Sequence, residues 1–229
     1  MMADVAANYA RVREQVVLAA QRSGRPPEAI TIVCAAKTKG PELVRAALAA
    51  GATDIGENYV QEAQEKIALV PEPARWHLIG HLQRNKARAA LRLFTLIQSL
   101  DSIALARELH RQAEKLGVVA RALIEVNLGD EPSKSGIVVQ RLDTLLAEAA
   151  ALSCLRVEGL MTVPPLGPQA EAARPYFRTL ARLREQYARF RTANIELREL
   201  SMGMTEDYAV AIEEGATIVR IGRAIFGER

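Results

Sequence analysis

Lys37 stands at the polar end of an apolar run, Ile30-Thr31-Ile32-Val33-Cys34-Ala35-Ala36, and is followed at once by Thr38-Lys39-Gly40-Pro41. A buried strand that ends in lysine directs an amine at whatever lies beyond the strand end. Two readings are open at this point. The lysine can simply leave the sheet and run into water. Alternatively, desolvation aided by a neighbouring cation such as Lys39 disfavours the ammonium form. The free amine then attacks an aldehyde and holds it as a Schiff base.

Other residues could complete a site around such an amine. By strand alternation Ile218, Arg220 and Gly222 share a face. If that face is inward, Arg220 is a semi-buried cation that needs an acceptor, either an acid such as Glu199 or a ligand atom. Ser201-Met202-Gly203-Met204-Thr205-Glu206-Asp207 and Gly222-Arg223-Ala224-Ile225-Phe226-Gly227 each pass from a strand end into a helix. Thr205 reads as an N-cap, Glu206 and Asp207 suit a first turn, and Gly203 permits close backbone approach. These are two ordinary capped turns or, if they converge, a phosphate cradle, which barrels often place after strands seven and eight. His77 and His81 have the spacing of a helical metal pair but fall on a strand and its loop, so no metal is expected. His77 reads instead as a ring beside a flat ligand or as a hydrogen-bonded structural residue. Asn58 reads first as the N-cap of a helix over Tyr59–Leu69 and second as a ligand contact. An amine, a phosphate cradle and an interior arginine together suggest a phosphorylated aldehyde, pyridoxal 5′-phosphate.

The elements that must position these residues are legible as an alternation. Strands are predicted over Thr31–Lys37, Thr53–Gly56, Arg75–Gly80, Phe94–Leu100, Arg121–Asn127, Arg156–Met161, Glu196–Ser201 and Thr217–Gly222. Helices are predicted over Glu42–Ala50, Val60–Leu69, Ser102–Leu116, Val139–Ala151, Ala170–Arg191 and Glu206–Glu214, several of them stopped by glycine (Gly51, Gly117, Gly215). Eight strands with helices between them predict an α/β fold, a single (β/α)8 TIM barrel with an extra N-terminal helix, over residues 1–229 as one domain. An open doubly wound sheet competes, but Lys37-Thr38-Lys39-Gly40 is not the Gly-rich turn such a sheet would carry. In a barrel, function collects at the C-terminal strand ends.

Composition removes other classes. Of 229 residues 49% are hydrophobic, ample for a core, while only 4% are aromatic, too few for base-stacking platforms. The formal charge is +3, spread among acids, so no nucleic-acid partner is expected. Cys34 and Cys154 lie in apolar segments outside any Cys-x-x-Cys pair, which predicts reduced thiols. Neither a signal peptide nor a membrane span is evident, which predicts a cytoplasmic protein.

Several runs resemble one family: Ala36-Lys37-Thr38-Lys39, Gly56-Glu57-Asn58-Tyr59-Val60-Gln61-Glu62, Trp76-His77-Leu78-Ile79-Gly80-His81-Leu82-Gln83, Ser133-Lys134-Ser135-Gly136, Gly159-Leu160-Met161, Leu200-Ser201-Met202-Gly203-Met204-Thr205 and Val219-Arg220-Ile221-Gly222-Arg223-Ala224-Ile225-Phe226-Gly227. In this order the chain closely resembles the YggS/PROSC family of pyridoxal phosphate homeostasis proteins, along essentially its whole length. The resemblance implies a barrel like the N-terminal domain of alanine racemase, of pyridoxal phosphate fold type III but without the C-terminal β-domain, and no metal. It implies that Lys37 forms the internal aldimine. Ser201, Gly222 and Arg223 would hold the phosphate, with the backbone of Gly203, Met204 and Thr205 nearby. Arg220 would meet the pyridine nitrogen, and Asn58 and His77 would lie near the ring. Serine, phenylalanine and proline are usual in the family where Ala36, Ile55 and Gly40 stand, which bears on packing around the lysine.

An arginine at the ring nitrogen cannot accept a proton in practice, so the ring is a poorer electron sink than with a carboxylate partner. The chain ends two residues after Gly227, and no second domain carrying a second base is expected. The reading is a monomeric carrier that buffers or delivers pyridoxal 5′-phosphate, transiently meeting apo-enzymes and affecting amino-acid and keto-acid pools indirectly, with little turnover of its own. The alternative is an amino-acid racemase using Lys37 and a second base, Tyr208 or His77.

Overall fold

A computed structural model describes residues 4–129, 135–165, 167 and 169–228. Eight parallel strands form its centre: β1 (Thr31–Ala35), β2 (Asp54–Glu57), β3 (Arg75–Leu78), β4 (Leu96–Leu100), β5 (Ala120–Asn127), β7 (Leu155–Met161), β8 (Ile195–Ser201) and β9 (Ile218–Ile221). A two-residue strand, β6 (Ile137–Val138), which the sequence did not suggest, lies parallel to the end of β5. The strands follow one another around the sheet in the order β4-β3-β2-β1-β9-β8-β7-β5, and β4 pairs with β5 to close the ring. The eight-stranded α/β barrel expected from the alternation is therefore the observed fold, and the open sheet is excluded by that last pairing.

The strands carry apolar residues on both faces because both are covered. Inside the barrel, Val33, Leu96, Leu123, Met161 and Ile218 pack with Ile79 in a small cluster. Outside, a much larger apolar layer joins the sheet to the helices. These are α1 (Val5–Arg22), α2 (Pro41–Ala49), α3 (Val60–Leu69), α4 (Ala87–Leu93), α5 (Ile103–Leu116), α6 (Leu142–Ala150), α7 (Arg174–Tyr187), α8 (Tyr208–Glu213) and α9 (Arg223–Phe226).

The extra N-terminal helix α1 is capped by Asp4, which accepts the Ala7 N–H at 3.0 Å. Its buried stripe, Val5, Tyr9, Val12, Val16, Ala19 and Ala20, has helical spacing and packs against α2, α8 and α9. Asn8 Nδ2 donates to the Ile225 carbonyl at 3.0 Å, so α1 steadies the segment that follows the last strand. Gly117 takes the left-handed conformation (φ 66°) that ends α5, as its position after the helix predicts.

Three boundaries differ from expectation in ways that matter to the site. β1 stops at Ala35, so Lys37 lies in the turn beyond the strand. α8 begins at Tyr208, not Glu206, leaving 202–207 as an extended turn. α3 begins at Val60 with Tyr59 at its cap position and no side-chain cap, so Asn58 does not cap it. Among the described residues no helix is long and apolar enough to cross a membrane. Cys34 is buried and Cys154 half-buried, both free, and burial pushes the Cys34 thiol up to about 12.

Candidate functional site

Lys37 is exposed at the C-terminal mouth of the barrel, so of the two readings the sequence left open its side chain follows the one that runs into water, and the desolvation of the other is not present. It occupies a tight turn closed by a 3.0 Å bond from Lys39 N–H to the Ala36 carbonyl. The next residue, Thr38, has φ 65°, a left-handed conformation unusual for a β-branched side chain. Lys39 does not accompany Lys37: its Nζ donates to the carbonyls of Gly227 (3.0 Å) and Glu228 (2.7 Å), tying the turn to the end of the chain.

The turn is also held from α3. Lys66 Nζ donates to the Ala36 carbonyl at 2.8 Å, to Glu62 Oε1 at 3.1 Å and to Glu57 Oε1. Glu62 Oε1 in turn accepts the Thr38 N–H at 2.6 Å. Lys66 and Glu57 are both buried, and Glu57 Oε2 has no partner. Burial pushes the Glu57 carboxyl up to about 7 against the pull of Lys66. Asn58 follows Glu57 and is half-buried beside the next strand end. A Cβ at Gly80 would sit 2.5 Å from the Asn58 carbonyl.

Arg220 faces inward from β9 and is 4% exposed. It makes no ion pair with Glu199, whose carboxylate accepts instead from Thr217 Oγ1 at 2.6 Å. Its Nη1 donates to Ser201 Oγ at 2.6 Å and its Nη2 to the Thr162 carbonyl at 2.9 Å. Those bonds use two of the five N–H groups a guanidinium carries. Burial pulls this guanidinium down to about 10, while the fields of Glu125 and Asp207 pull it back up. It remains a cation and donor at neutral pH.

Behind Ser201 runs a buried chain of polar groups. Ser201 Oγ donates to Gln98 Oε1 at 2.6 Å, Gln98 Nε2 meets His77 Nδ1 at 3.0 Å, and His77 Nε2 meets Asp54 Oδ1 at 2.9 Å. With its oxygen taken by Ser201, the Gln98 amide donates to Nδ1. The imidazole proton therefore sits on Nε2 and points at Asp54. Burial alone would raise the Asp54 carboxyl, but bonds from His77, Arg75 and Thr53 hold it well below the usual range. His77 is thus an interior strut with both ring nitrogens engaged, and it lines a cleft at the N-terminal end of the barrel with Thr31 and Arg75. It does not reach the rim. His81 is separate, its Nδ1 pairing with Asp101 Oδ2 at 3.0 Å.

The two glycine-containing turns lie together. Arg220 N–H donates to the Gly203 carbonyl at 2.9 Å, and Ala224 N–H to Thr205 Oγ1 at 3.4 Å. Gly203 has φ 91°, and a Cβ there would lie 2.6 Å from the Ala211 Cβ. Gly222 approaches the first strand so closely that a Cβ would be 3.1 Å from the Ala35 carbonyl. This brings the 222–227 turn beside the Lys37 turn. Asp207, rather than Thr205, binds backward, accepting the Met204 N–H at 2.7 Å, so that amide is not free for a ligand. Arg223 is exposed and pairs with Glu206 at 2.8 Å. Ser133 and Lys134 lie outside the described residues.

Sequence reasoning missed three groups: the Glu57–Lys66–Glu62 triad, Gln98 as the link between His77 and Ser201, and Glu125. Glu125 is 7% exposed on the inward face of β5, and among the described residues no hydrogen bond reaches its carboxyl. Burial and the nearby Asp101 raise it to about 7, with Arg220 opposing. Its signal in the sequence was a charge inside the apolar run Ala122-Leu123-Ile124-Glu125-Val126.

A closed parallel barrel with a lysine turn and two glycine-containing turns at its C-terminal end defines a broad class, and comparison narrows it. Residues 7–229 match the alanine racemase N-terminal domain. The chain belongs to that family, and within it to the pyridoxal phosphate homeostasis proteins. A protein of that name from Aquifex aeolicus (strain VF5) is 44% identical over 220 residues, 96% of each chain. The one from Escherichia coli (strain K12) is 40% identical over 232 residues, 100% of this chain and 98% of its own. Among solved structures, PipY of Synechococcus elongatus PCC7942 with pyridoxal phosphate bound superposes with a TM-score of 0.82 at 36% identity. That match covers 94% of this chain and 100% of PipY.

Proposed function

We propose that this protein binds pyridoxal 5′-phosphate reversibly and serves its homeostasis, with Lys37 holding the cofactor's aldehyde as a Schiff base. The observation that carries the reading is convergence. The Lys37 turn, the close approach of Gly222 to β1, and the Arg220–Ser201 pair meet at one end of the barrel. The residues fit the group: a buried cation with spare donors stands near two turns whose glycines let the backbone pack closely, Gly203 against α8 and Gly222 against β1.

In this reading Gly203, Thr205, Gly222 and Arg223 embrace the phosphate, while Met204 contributes shape because its amide is committed to Asp207. The Ser201 hydroxyl proton is committed to Gln98, so Ser201 gives it to a phosphate only by exchanging that bond. Asn58 borders the ring. His77 acts from behind, through Gln98, rather than against the ring. Bound pyridoxal phosphate would supply an electron sink, and Arg220, which can donate to the pyridine nitrogen but cannot accept from it, would favour the unprotonated nitrogen and keep that sink weak. The chain's own residues thus bind and orient the cofactor without strongly activating it. We take the protein as a monomeric cytoplasmic carrier that buffers the cofactor or hands it to apo-enzymes, consistent with its two free cysteines.

A racemase is the second reading, and Glu125 is what favours it. This buried, unbonded carboxyl titrates near neutrality, as a second acid–base group must. His77 is withdrawn from that role by its engaged nitrogens. Tyr208 is half-buried, and burial raises its phenol further from neutrality. Adding pyridoxal 5′-phosphate to the protein should produce a visible absorbance band that Lys37→Ala lacks, and amino acids should not racemise above that control. A colourless mixture would sink the binding reading. Racemisation well above the control would move the assignment to an enzyme.

A further inference from the structure

Lys66 is a lysine on an outer helix, yet it is 5% exposed and its three ammonium donors meet three acceptors: the Ala36 carbonyl, Glu57 Oε1 and Glu62 Oε1. Glu62 and Lys66 are four apart on α3 and so share a face. Glu57 points outward from β2 into the same space. Together they grip the Lys37 turn at two points flanking the lysine: Lys66 holds the carbonyl before it, and Glu62 holds the amide after it. We propose that the Glu57–Lys66–Glu62 triad is a positioning device for Lys37, clamping residues 36–38 so that the exposed amine is presented at a fixed place. This rests on the reading of Lys37 as the lysine that captures the aldehyde.

The energetics support a role beyond stability. Burying a lysine–glutamate pair costs solvation that a well-packed apolar pair would not, so such a pair is weak evidence for a stabilising purpose. Among the described residues one buried oxygen, Glu57 Oε2, has no hydrogen-bond partner, a further cost. Thr38 is held in a left-handed conformation that a β-branched residue resists. What the triad provides in return is a rigid turn. Lys37 has no packing of its own to fix it, because its side chain is exposed. A covalent capture step is sensitive to placement of the nucleophile, and control through the backbone turn is the control this geometry offers.

The test compares two ligands that differ only at the reacting carbon. Pyridoxal 5′-phosphate carries the aldehyde and can bond to Lys37; pyridoxine 5′-phosphate carries an alcohol and cannot. Two variants loosen the clamp: E57Q/K66M removes both buried charges together, and Glu62→Ala removes the partly exposed carboxylate that accepts from both Thr38 and Lys66. Affinities for both ligands would be measured on folded protein, verified by its melting transition. Each variant should bind the aldehyde about tenfold or more weakly and the alcohol as well as the unaltered protein does. Equal losses for both ligands would make the triad merely structural, and no loss for either would overturn the proposal. If E57Q/K66M fails to fold, Glu62→Ala alone decides by the same criterion. If the unaltered protein binds both ligands equally, the underlying reading of Lys37 fails and this inference falls with it.

Discussion

Arg220 Nη1 donates to Ser201 Oγ at 2.6 Å, and that bond sets the direction of every polar group behind it. Ser201 must then give its proton to Gln98, Gln98 must donate to His77, and His77 must donate to Asp54. One end of this relay is the cation facing the candidate cofactor site, and the other is an ion pair with Arg75 at 2.7 Å near the opposite mouth. A relay of bonds all pointing one way fixes the tautomer of the histidine and the rotamer of the glutamine. It therefore holds Arg220 rigidly without any carboxylate touching it.

Ser201→Ala should break the relay at its middle. It leaves Gln98 Oε1 without a donor and Arg220 Nη1 without an acceptor, each worth about 1–3 kcal/mol when buried. The fall in stability, read from the urea midpoint, should therefore exceed that of an ordinary buried serine substitution. Combined with Gln98→Leu, the losses should sum to less than the two separate values, because the second change removes a group the first had already orphaned. Strict additivity would mean that the relay has no collective role.

Glu125→Gln should change the pH profile of stability in a defined window. The folded carboxyl titrates near about 7 against an ordinary value of 4.5, because burial and Asp101 outweigh Arg220. The folded state therefore holds a proton that the unfolded state has lost, and stability falls as pH rises from 4.5 towards 7. Above that range the contribution is gone. At about 1.36 kcal/mol per tenfold change in proton activity, the full effect is about 3 kcal/mol. Urea titrations across this range should show the unaltered protein losing ground to the glutamine variant. A constant difference would place Glu125 in a more solvated setting.

The barrel was legible because its evidence is periodic. Apolar runs bounded by glycines at Gly51, Gly117 and Gly215 recur along the chain, and the two layers they build need no exact contact to be inferred. The rim was legible in part: Lys37, Gly203, Arg220 and Gly222 each sit at a strand end in the sequence, and closure of the sheet brings such ends together. What escaped was everything decided by side-chain partners. Nothing in the spacing distinguishes Lys66 from a solvated helix lysine, because its burial depends on Glu57 arriving from another strand. His77 looked like a rim residue since β3 was read as far as Gly80, whereas the strand ends at Leu78 and the ring turns inward to Asp54. The Asn58 and Thr205 caps failed because the helices start one or more residues later than their cap signals, and Asp207 takes the backward bond instead.

Gly203→Ala should damage stability and phosphate binding together. At φ 91° an alanine is strained whatever the space, and its Cβ would be 2.6 Å from the Ala211 Cβ and 2.9 Å from the Tyr208 Cα. Gly24 offers an internal comparison, with φ 66° and nothing within 4 Å of a Cβ. Gly24→Ala should show backbone strain alone, about 1 kcal/mol, while Gly203→Ala should cost about 1–3 kcal/mol from strain and from pushing α8 away. The affinity advantage of pyridoxal 5′-phosphate over pyridoxal, which reports the proposed phosphate cradle, should shrink only in the second variant. Equal melting losses would show that α8 yields freely.

Thr38→Asn should stabilise the protein while leaving the Lys37 turn intact. Threonine at φ 65° meets a steric penalty that asparagine largely escapes, so a gain of about 0.5–1 kcal/mol is expected. The Thr38 N–H still reaches Glu62 in the variant, because that bond belongs to the backbone. Thr38→Pro is the counterpart: proline has no N–H to give Glu62, and its ring holds φ near −65°, the opposite sign to the one observed. It should lower the melting temperature and weaken capture of the aldehyde. If asparagine stabilises and proline disrupts, the turn is held by its backbone geometry and not by the threonine side chain. If asparagine instead lowers the melting temperature, the hydroxyl or methyl of Thr38 contributes packing that outweighs the strain.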